Sequence, residues 1–297
     1  MDSNLQKYQA LLKTVEYCSF TKAAAVLGYT QSSVSKMIAD LEQEWHVSLL
    51  ERSRGGVLLT AEGMSLLPYA QSLVNDYRIL QERVAELNGL QQGLIRIGVF
   101  SSVATHWMPK IIQAFQKDYP GIQYELLLGD YAEIENWIAE GRVECGFLRL
   151  PTRNGFETIS LLQDELVLVL PKKHPLAELD RIPPTELNGQ PFMLLEHGGK
   201  TEVSEFLELH GVNPSVRFTT WDDYAILSMV ECGLGIGILP CLILQRIPYD
   251  VEIRSFTEPY YREIALALPC RKKPSAVVKR FVEYLKYRSE NSIQSPQ

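Results

Sequence analysis

The chain has 297 residues, 46% of them hydrophobic and 22% charged, and a net charge of −7. That length holds two or three domains with real cores, and the composition excludes a disordered or fibrous chain. Met1 to Asn4 lacks a basic stretch leading into an apolar run, and no window approaches ~18 uninterrupted apolar residues, so a cytoplasmic protein that does not enter a membrane is expected.

Two short helices are predicted first. Ala23, Ala24 and Ala25 are small enough for another helix to approach, and Gly28 after Leu27 permits the left-handed backbone that ends a helix. Thr30 is the expected N-cap of the next helix. Val34, Met37, Ile38, Leu41 and Trp45 fall on one of its faces, leaving Gln31, Ser32, Ser33, Ser35 and Lys36 on the other. Gln can bond an adenine edge bidentately, Ser bonds bases or phosphates, and Lys pairs with guanine or phosphate. Glu51 to Gly56 then reads as a turn between Leu49-Leu50 and Val57-Leu58-Leu59, with Arg52 and Arg54 at a hairpin tip that could reach a phosphate or the minor groove. A Ser-rich amphipathic helix alone is usually a solvated core helix. The succession of two helices, a tight turn and a basic hairpin is specific, and it predicts an all-α winged helix-turn-helix domain over residues 1–60 that reads double-stranded DNA.

The charge count constrains that reading. Residues 1–60 hold six Lys/Arg and six Asp/Glu. DNA binding then requires the bases to be segregated, with Lys36, Arg52 and Arg54 on one side and Glu42 and Glu44 away from it. Two copies acting together would add phosphate contacts.

Thr60 opens a predicted helix to about Asn88. Leu66, Ala70, Leu73, Tyr77, Leu80, Val84 and Leu87 recur along it in steps of four and three, a heptad seam that calls for a partner helix. Pro68 removes a backbone donor near its start and is expected to kink it, at a cost of up to ~3 kcal/mol. Residues 61–90 are read as a linker and dimerisation helix.

From Leu94 onward strands and helices alternate, which predicts a two-lobed α/β domain over residues 91–297. The first lobe is assigned 93–163 and 269–297 and the second 164–268, with the chain crossing near Asp164 and Pro269. Ligands of open parallel sheets bind beyond the carboxyl ends of the strands, so facing lobes predict a cleft lined by the strand-to-helix loops. Those loops supply Ser101 and Ser102, Gly129 and Asp130, Arg149, the run His197, Gly198, Gly199, Lys200 and Thr201, and Thr219 with Thr220. Serine hydroxyls with Arg149 and Lys200 suit a carboxylate or other small anion. Taken singly, each Ser or Thr could be an ordinary helix cap.

The five cysteines, Cys18, Cys145, Cys232, Cys241 and Cys270, are scattered and form no C-x-x-C pair, so free thiols are expected. Cys18 and Cys232, in apolar helical contexts, are expected to be buried and inert. The five histidines show neither an i, i+4 pair nor a Cys partner at ligand spacing, so neither a metal nor a cofactor is indicated. The alternative is a solute-binding protein or an enzyme using the cleft, and the enzyme would need Ser101 or Ser102 with His106 as nucleophile and base. No acidic third member stands near them and no G-x-S-x-G elbow is present.

With these elements in order, the chain resembles LysR-type transcriptional regulators over essentially its whole length. SFTKAAAVLGYTQSSVSKMIADLE resembles the family's helix-turn-helix, and LLERSRGGVLLTAEG its wing and linker start. WMPKIIQAFQKDYPGIQYELLLGDYAEIENWIAEGRVECGFL resembles its first effector lobe, and CGLGIGILP the close of its second. The resemblance implies a periplasmic-binding-protein-like (type 2) effector domain that binds a small co-inducer, and no enzymatic activity. It also implies a homodimer or homotetramer bound to a promoter inverted repeat, with RNA polymerase as a further partner. It puts DNA contacts on Gln31, Ser32, Ser33, Ser35, Lys36 and Arg52, and ligand loops on Ser101, Ser102, Gly129 and Asp130. Arg149 matches the arginine that members sensing aromatic-derived carboxylates hold after the third strand. Trp45-His46 departs from the family's small, glycine-containing helix end, and Asp130 stands where small hydroxyl residues are frequent.

Overall fold

The computed structural model describes residues 3–53, 56–87, 93–153, 155–196, 200–270 and 273–288. It divides into two compact units, the first built on residues up to Leu90 and the second from Gln91 onward apart from Glu140–Arg142.

In the first unit a helix, α1 (Ser3–Tyr17), precedes the two expected ones, α2 (Phe20–Leu27) and α3 (Gln31–Trp45). Ser19 caps α2 by accepting from the Lys22 N–H, and Gly28 ends it at φ +71°. Ala23 and Ala24 are buried, so α1 and α3 come close, and Ala10, Leu11, Val34, Ile38, Leu41 and Leu49 complete the core. At the end of α3 His46 takes the left-handed conformation that glycine usually provides. The hairpin follows as β1 (Leu50–Ser53) and β2 (Gly56–Leu59), strands that run further toward the tip than the apolar pattern implied. Thr60 accepts from the Gly63 N–H at 2.9 Å and so caps α4 (Ala61–Leu87). Gly63 is required there, because a Cβ would lie 2.2 Å from the Leu49 carbonyl oxygen.

α4 is assigned as one 27-residue helix that continues through Pro68. Leu66 and Leu67 pack on the three-helix core and Ala70 is buried. The heptad seam therefore begins later than its spacing indicates, since Leu66 belongs to its own domain. Beyond it Leu73 is 52%, Leu80 56% and Val84 47% exposed, with Tyr77 half-buried between them. Leu87 lies on the helix, but its side chain is outside the described residues.

The second unit opens with β3 (Gly93–Val99), α5 (Ser101–His106), α6 (Met108–Asp118), β4 (Ile122–Leu128), α7 (Tyr131–Ala139) and β5 (Cys145–Leu150). β3 is parallel to both β4 and β5. β6 (Phe156–Pro171) leads into the second lobe. That lobe comprises β7 (Arg181–Ile182), β8 (Pro191–Leu195), α8 (Glu202–Leu209), β9 (Ser215–Thr220), α9 (Asp223–Glu231), β10 (Ile236–Pro240) and β11 (Val251–Phe256). β8 is parallel to β9 and β10. β12 (Tyr260–Pro269) returns to the first lobe, where α10 (Ala276–Glu283) packs.

Each lobe thus has a parallel three-strand centre, but the sheet that joins them is mixed. β6 and β12 run antiparallel to each other over their whole shared length, in the order β4-β3-β5-β12-β6-β10-β8-β9. β6 passes from β12 to β10 and β11 as it crosses, and Arg262 stands opposite Asp164 at that point. From Glu263 onward β12 already pairs with β5. The second crossing therefore falls at Arg262 and not near Pro269. Alternation along β6 explains the burial of both faces. Leu166, Leu168 and Leu170 join Phe192 and Phe206 on one side, and Val169 joins Met193, Ile226 and Leu227 on the other.

The cysteines correct one expectation. Cys18 and Cys232 are exposed, because one follows the end of α1 with φ +48° and the other caps the end of α9. Cys145 is the buried one, and burial pushes its thiol well above the ordinary range. No helix among the described residues is long and apolar enough to cross a membrane.

Candidate functional site

Two places concentrate polar side chains. At the start of α3 the Thr30 hydroxyl accepts from the Ser33 N–H at 3.2 Å and lies 3.0 Å from the Ser32 and 2.8 Å from the Ser33 hydroxyl. The hydroxyls are therefore ordered by the cap. Gln31, Ser32 and Lys36 are exposed, with Ser33 and Ser35 half-buried beside them. Two of the acids nearby are occupied elsewhere. Glu42 accepts from the Leu49 and Leu50 N–H groups at 2.7 and 3.1 Å, which ties the helix to the hairpin, and Glu44 pairs with Lys7 at 3.4 Å. Arg52 lies on β1 with its side chain outside the described residues, and Arg54 lies outside them altogether.

The second place is a cleft of about 440 Å³ between the lobes. Its first wall is Phe100, Ser101 and Ser102 from the start of α5, with Leu128 to Ala132 from the β4–α7 turn. Its second wall is Leu195, Glu196 and Lys200 to Glu202 ahead of and within α8, with Trp221 to Tyr224 at the start of α9. Arg262 forms the floor. Its Nε and Nη2 donate to Asp164 Oδ2 at 2.9 and 2.7 Å, Nη1 to the Tyr131 hydroxyl at 3.0 Å and to Glu202 at 3.1 Å, and Nη2 also to the Ser102 hydroxyl at 2.8 Å. All five guanidinium hydrogens are used, and Phe100 lies over the group at 5.1 Å. Both lobes and both crossing strands meet on this side chain.

Burial opposes the charge on Arg262, but Tyr131, Glu202 and Asp164 outweigh it and hold the group ionised. Asp164 is raised by burial, against the pull of Arg262 and of the Leu242 N–H that it accepts at 2.9 Å. Asp223 is raised by burial to about 6, with Arg262 and the Ser101 hydroxyl opposing the rise and Glu202 and Asp222 adding to it.

Several expected ligand residues sit elsewhere. Arg149 does not line the cleft. It forks onto Glu205, with Nη1 at 3.1 Å and Nη2 closer still, and Tyr260 donates to the same carboxylate at 3.1 Å. Thr219 is exposed on β9, the edge strand, and it is the residues after that strand that face the cleft. Thr201 lines it and also caps α8, accepting from the Ser204 N–H. Lys200 stands at the rim and pairs with Glu208 at 2.8 Å. His197 and Gly199 lie outside the described residues. The described lining holds Asp130, Glu196, Glu202, Asp222 and Asp223 against Lys200 and Arg262, an acidic excess that the expectation of an anionic effector did not anticipate. His106 Nε2 bonds the Ile243 carbonyl oxygen at 3.2 Å and is not part of the lining.

Residues 5–64 match the bacterial regulatory helix-turn-helix protein, lysR family, and residues 88–290 match the LysR substrate binding domain. The chain belongs to the LysR family. It is 30% identical over 285 residues to "Uncharacterized HTH-type transcriptional regulator YvbU" of Bacillus subtilis (strain 168), covering 95% of this chain and 97% of that one. It is 34% identical over 267 residues to "Probable HTH-type transcriptional regulator LrrA" of Synechococcus elongatus, covering 89% and 90%. Full-length CbnR in complex with its target DNA has the same fold, with a TM-score of 0.70 at 22% identity over 97% of this chain and 100% of that one. As a LysR-family protein the chain is a DNA-binding transcriptional regulator with an effector-binding domain.

In this LysR chain the residues that sequence reasoning missed at the cleft include Arg262, Glu202, Asp223 and Tyr131 in the lining and Asp164 beneath Arg262. A signal for two of them existed. Arg262 shares its strand face with Ile264, Leu266 and Leu268, and Asp164 shares one with Leu166 and Leu168, so both charges fall at buried positions of a period-two pattern.

Proposed function

We propose that the protein works in the cytoplasm as a homodimer or homotetramer that holds two reading helices on an inverted repeat at a promoter and communicates with RNA polymerase. In this reading residues 1–60 contact DNA through Thr30, Gln31, Ser32, Ser33, Ser35 and Lys36, with Arg52 and Arg54 on flanking phosphates. Residues 61–90 pair the subunits through Leu73, Tyr77, Leu80, Val84 and Leu87, and residues 91–297 sense a small molecule. The observation that carries it is the succession, in one unit, of a capped helix with an exposed polar face and a helix whose apolar stripe is left uncovered. Each head alone offers few positive groups, so pairing at a fixed spacing is what would make binding firm. An effector in the cleft acts by favouring one inter-lobe angle, and hence one assembly, over another. The protein forms and breaks no bonds.

The test is fluorescence anisotropy of the full chain with DNA taken from beside its own gene. Binding that weakens steeply with added salt is the expected result. Absent binding at low salt, or binding indifferent to salt, would refute it.

A further inference from the structure

The charge inside the cleft does not balance. Glu202 and Asp223 in the lining and Asp164 beneath it are all buried, and the buried cation that the described residues offer them is the guanidinium of Arg262. The positive groups nearest the cleft already serve carboxylates: Arg262 serves Asp164 and Glu202, Arg149 serves Glu205, and Lys200 serves Glu208. An incoming carboxylate would find these cations already engaged and would share the cleft with Glu202 and Asp223. A buried carboxylate with no full counter-charge is costly, and an arriving cation relieves that cost. The walls suit the body of such a ligand, since Trp221 and Tyr224 line the space beside Phe100 and Tyr131, and aromatic faces attract ammonium groups. The volume fits one small organic molecule.

We infer that the effector is a small amine, whose ammonium group is held by Glu202 and Asp223 while its carbon skeleton lies against Trp221 and Tyr224. The inference rests on reading the cleft as the effector site and names the chemistry that site selects. Glu202 is fixed for the task. One of its oxygens accepts from Tyr131 and from Arg262, both at 3.1 Å, and the other is 4.0 Å from Arg149, so the carboxylate cannot swing away when the cleft is empty. Asp223 is faced by the Ser101 hydroxyl from α5, Arg262 from β12, Glu202 from α8 and Asp222 beside it. Because burial and these acids lift its carboxyl to about 6, amine binding should strengthen as pH rises through that value, where Asp223 becomes ionised and the amine is still charged.

The experiment is isothermal calorimetry on the full chain with two probes of matched size and opposite charge, phenethylamine and phenylacetate, at pH values on either side of 6. The expected result is binding of phenethylamine alone, with affinity about tenfold higher at the upper pH, and loss of that binding in Asp223→Asn. Phenylacetate binding with phenethylamine silent overturns the inference and leaves the cleft as effector site. Phenethylamine binding that is flat with pH, or that survives Asp223→Asn, also overturns it. If neither probe nor putrescine binds, the cleft reading falls together with the inference. The pH profile is read on the unaltered chain, so the outcome does not depend on the variant folding.

Discussion

Asp223→Asn should stabilise the ligand-free effector domain at neutral pH, and the gain should disappear in acid. Burial lifts the Asp223 carboxyl from 3.8 to about 6, so the folded state binds its proton more tightly than the unfolded state does. Such a group favours folding at low pH, and that contribution is lost as pH rises from about 4 to about 6. At ~1.4 kcal/mol per tenfold change in proton affinity, keeping Asp223 ionised above pH 7 costs up to about 3 kcal/mol. Asn has nearly the same shape, its carbonyl can still accept from Ser101, and it carries no charge to desolvate. The expected gain is therefore about 1–3 kcal/mol at pH ~7.5, which for a domain of this size is several degrees in melting temperature. Calorimetric melting of both proteins at pH ~4.5 and ~7.5 measures it. The curves should draw together at the lower pH, where about a third of the gap remains because the unfolded-state carboxyl is still mostly ionised. A variant destabilised equally at both values would refute the reasoning, because it would mean that Arg262 and Ser101 fully compensate the charge.

Three further outcomes follow from the described contacts. Arg262→Met leaves Asp164 and Glu202 buried without their counter-ion and should cost about 3–5 kcal/mol in urea unfolding, with part of the loss recovered as pH falls and the acids take up protons; an unchanged midpoint would show that the floor of the cleft bears no structural weight. Thr30→Ala removes the cap of α3 and should lower the stability of the first unit by ~1 kcal/mol, while Thr30→Ser stays within a few tenths, as read by chemical denaturation. Leu73→Asp with Leu80→Asp puts charge on the uncovered stripe and should shift sedimentation velocity toward the monomer, whereas a retained assembly would place subunit pairing elsewhere.

What could be read from sequence divides by distance along the chain. The reading helix was legible because its signals are local: Thr30 caps it, Val34, Ile38 and Leu41 face inward, and Gly28 ends the helix before it within a few residues. The cleft between the lobes was legible as a place but not as chemistry. Ser101, Ser102 and Asp130 were found because they follow strands, whereas Arg262 draws its partners from residues 60 to 160 positions away. Arg149 misled for the same reason, since its attachment to Glu205 spans 56 positions and leaves no trace in either local sequence. Leu66 fitted a heptad as well as Leu73 does, and only packing against the three-helix core separates the two. Periodicity identifies which face of an element is apolar. It does not identify what covers that face.

The two lobes are joined by a laced pair of strands and not by two separate tethers. Single strands could each swivel, and the lobes would then tumble in several directions. β6 and β12 are hydrogen-bonded to each other through the crossing, with Arg262 and Asp164 clasped side by side at its middle. A ribbon of this kind bends across its flat face far more readily than it slides or shears, because sliding breaks its rungs. Such pairing favours motion of the lobes about one angle, like a door on a long piano hinge, over sliding or shear. Under the proposed function, a ligand on the floor of the cleft would then have one quantity to set, and whatever reads the lobes from outside would receive a single-valued signal.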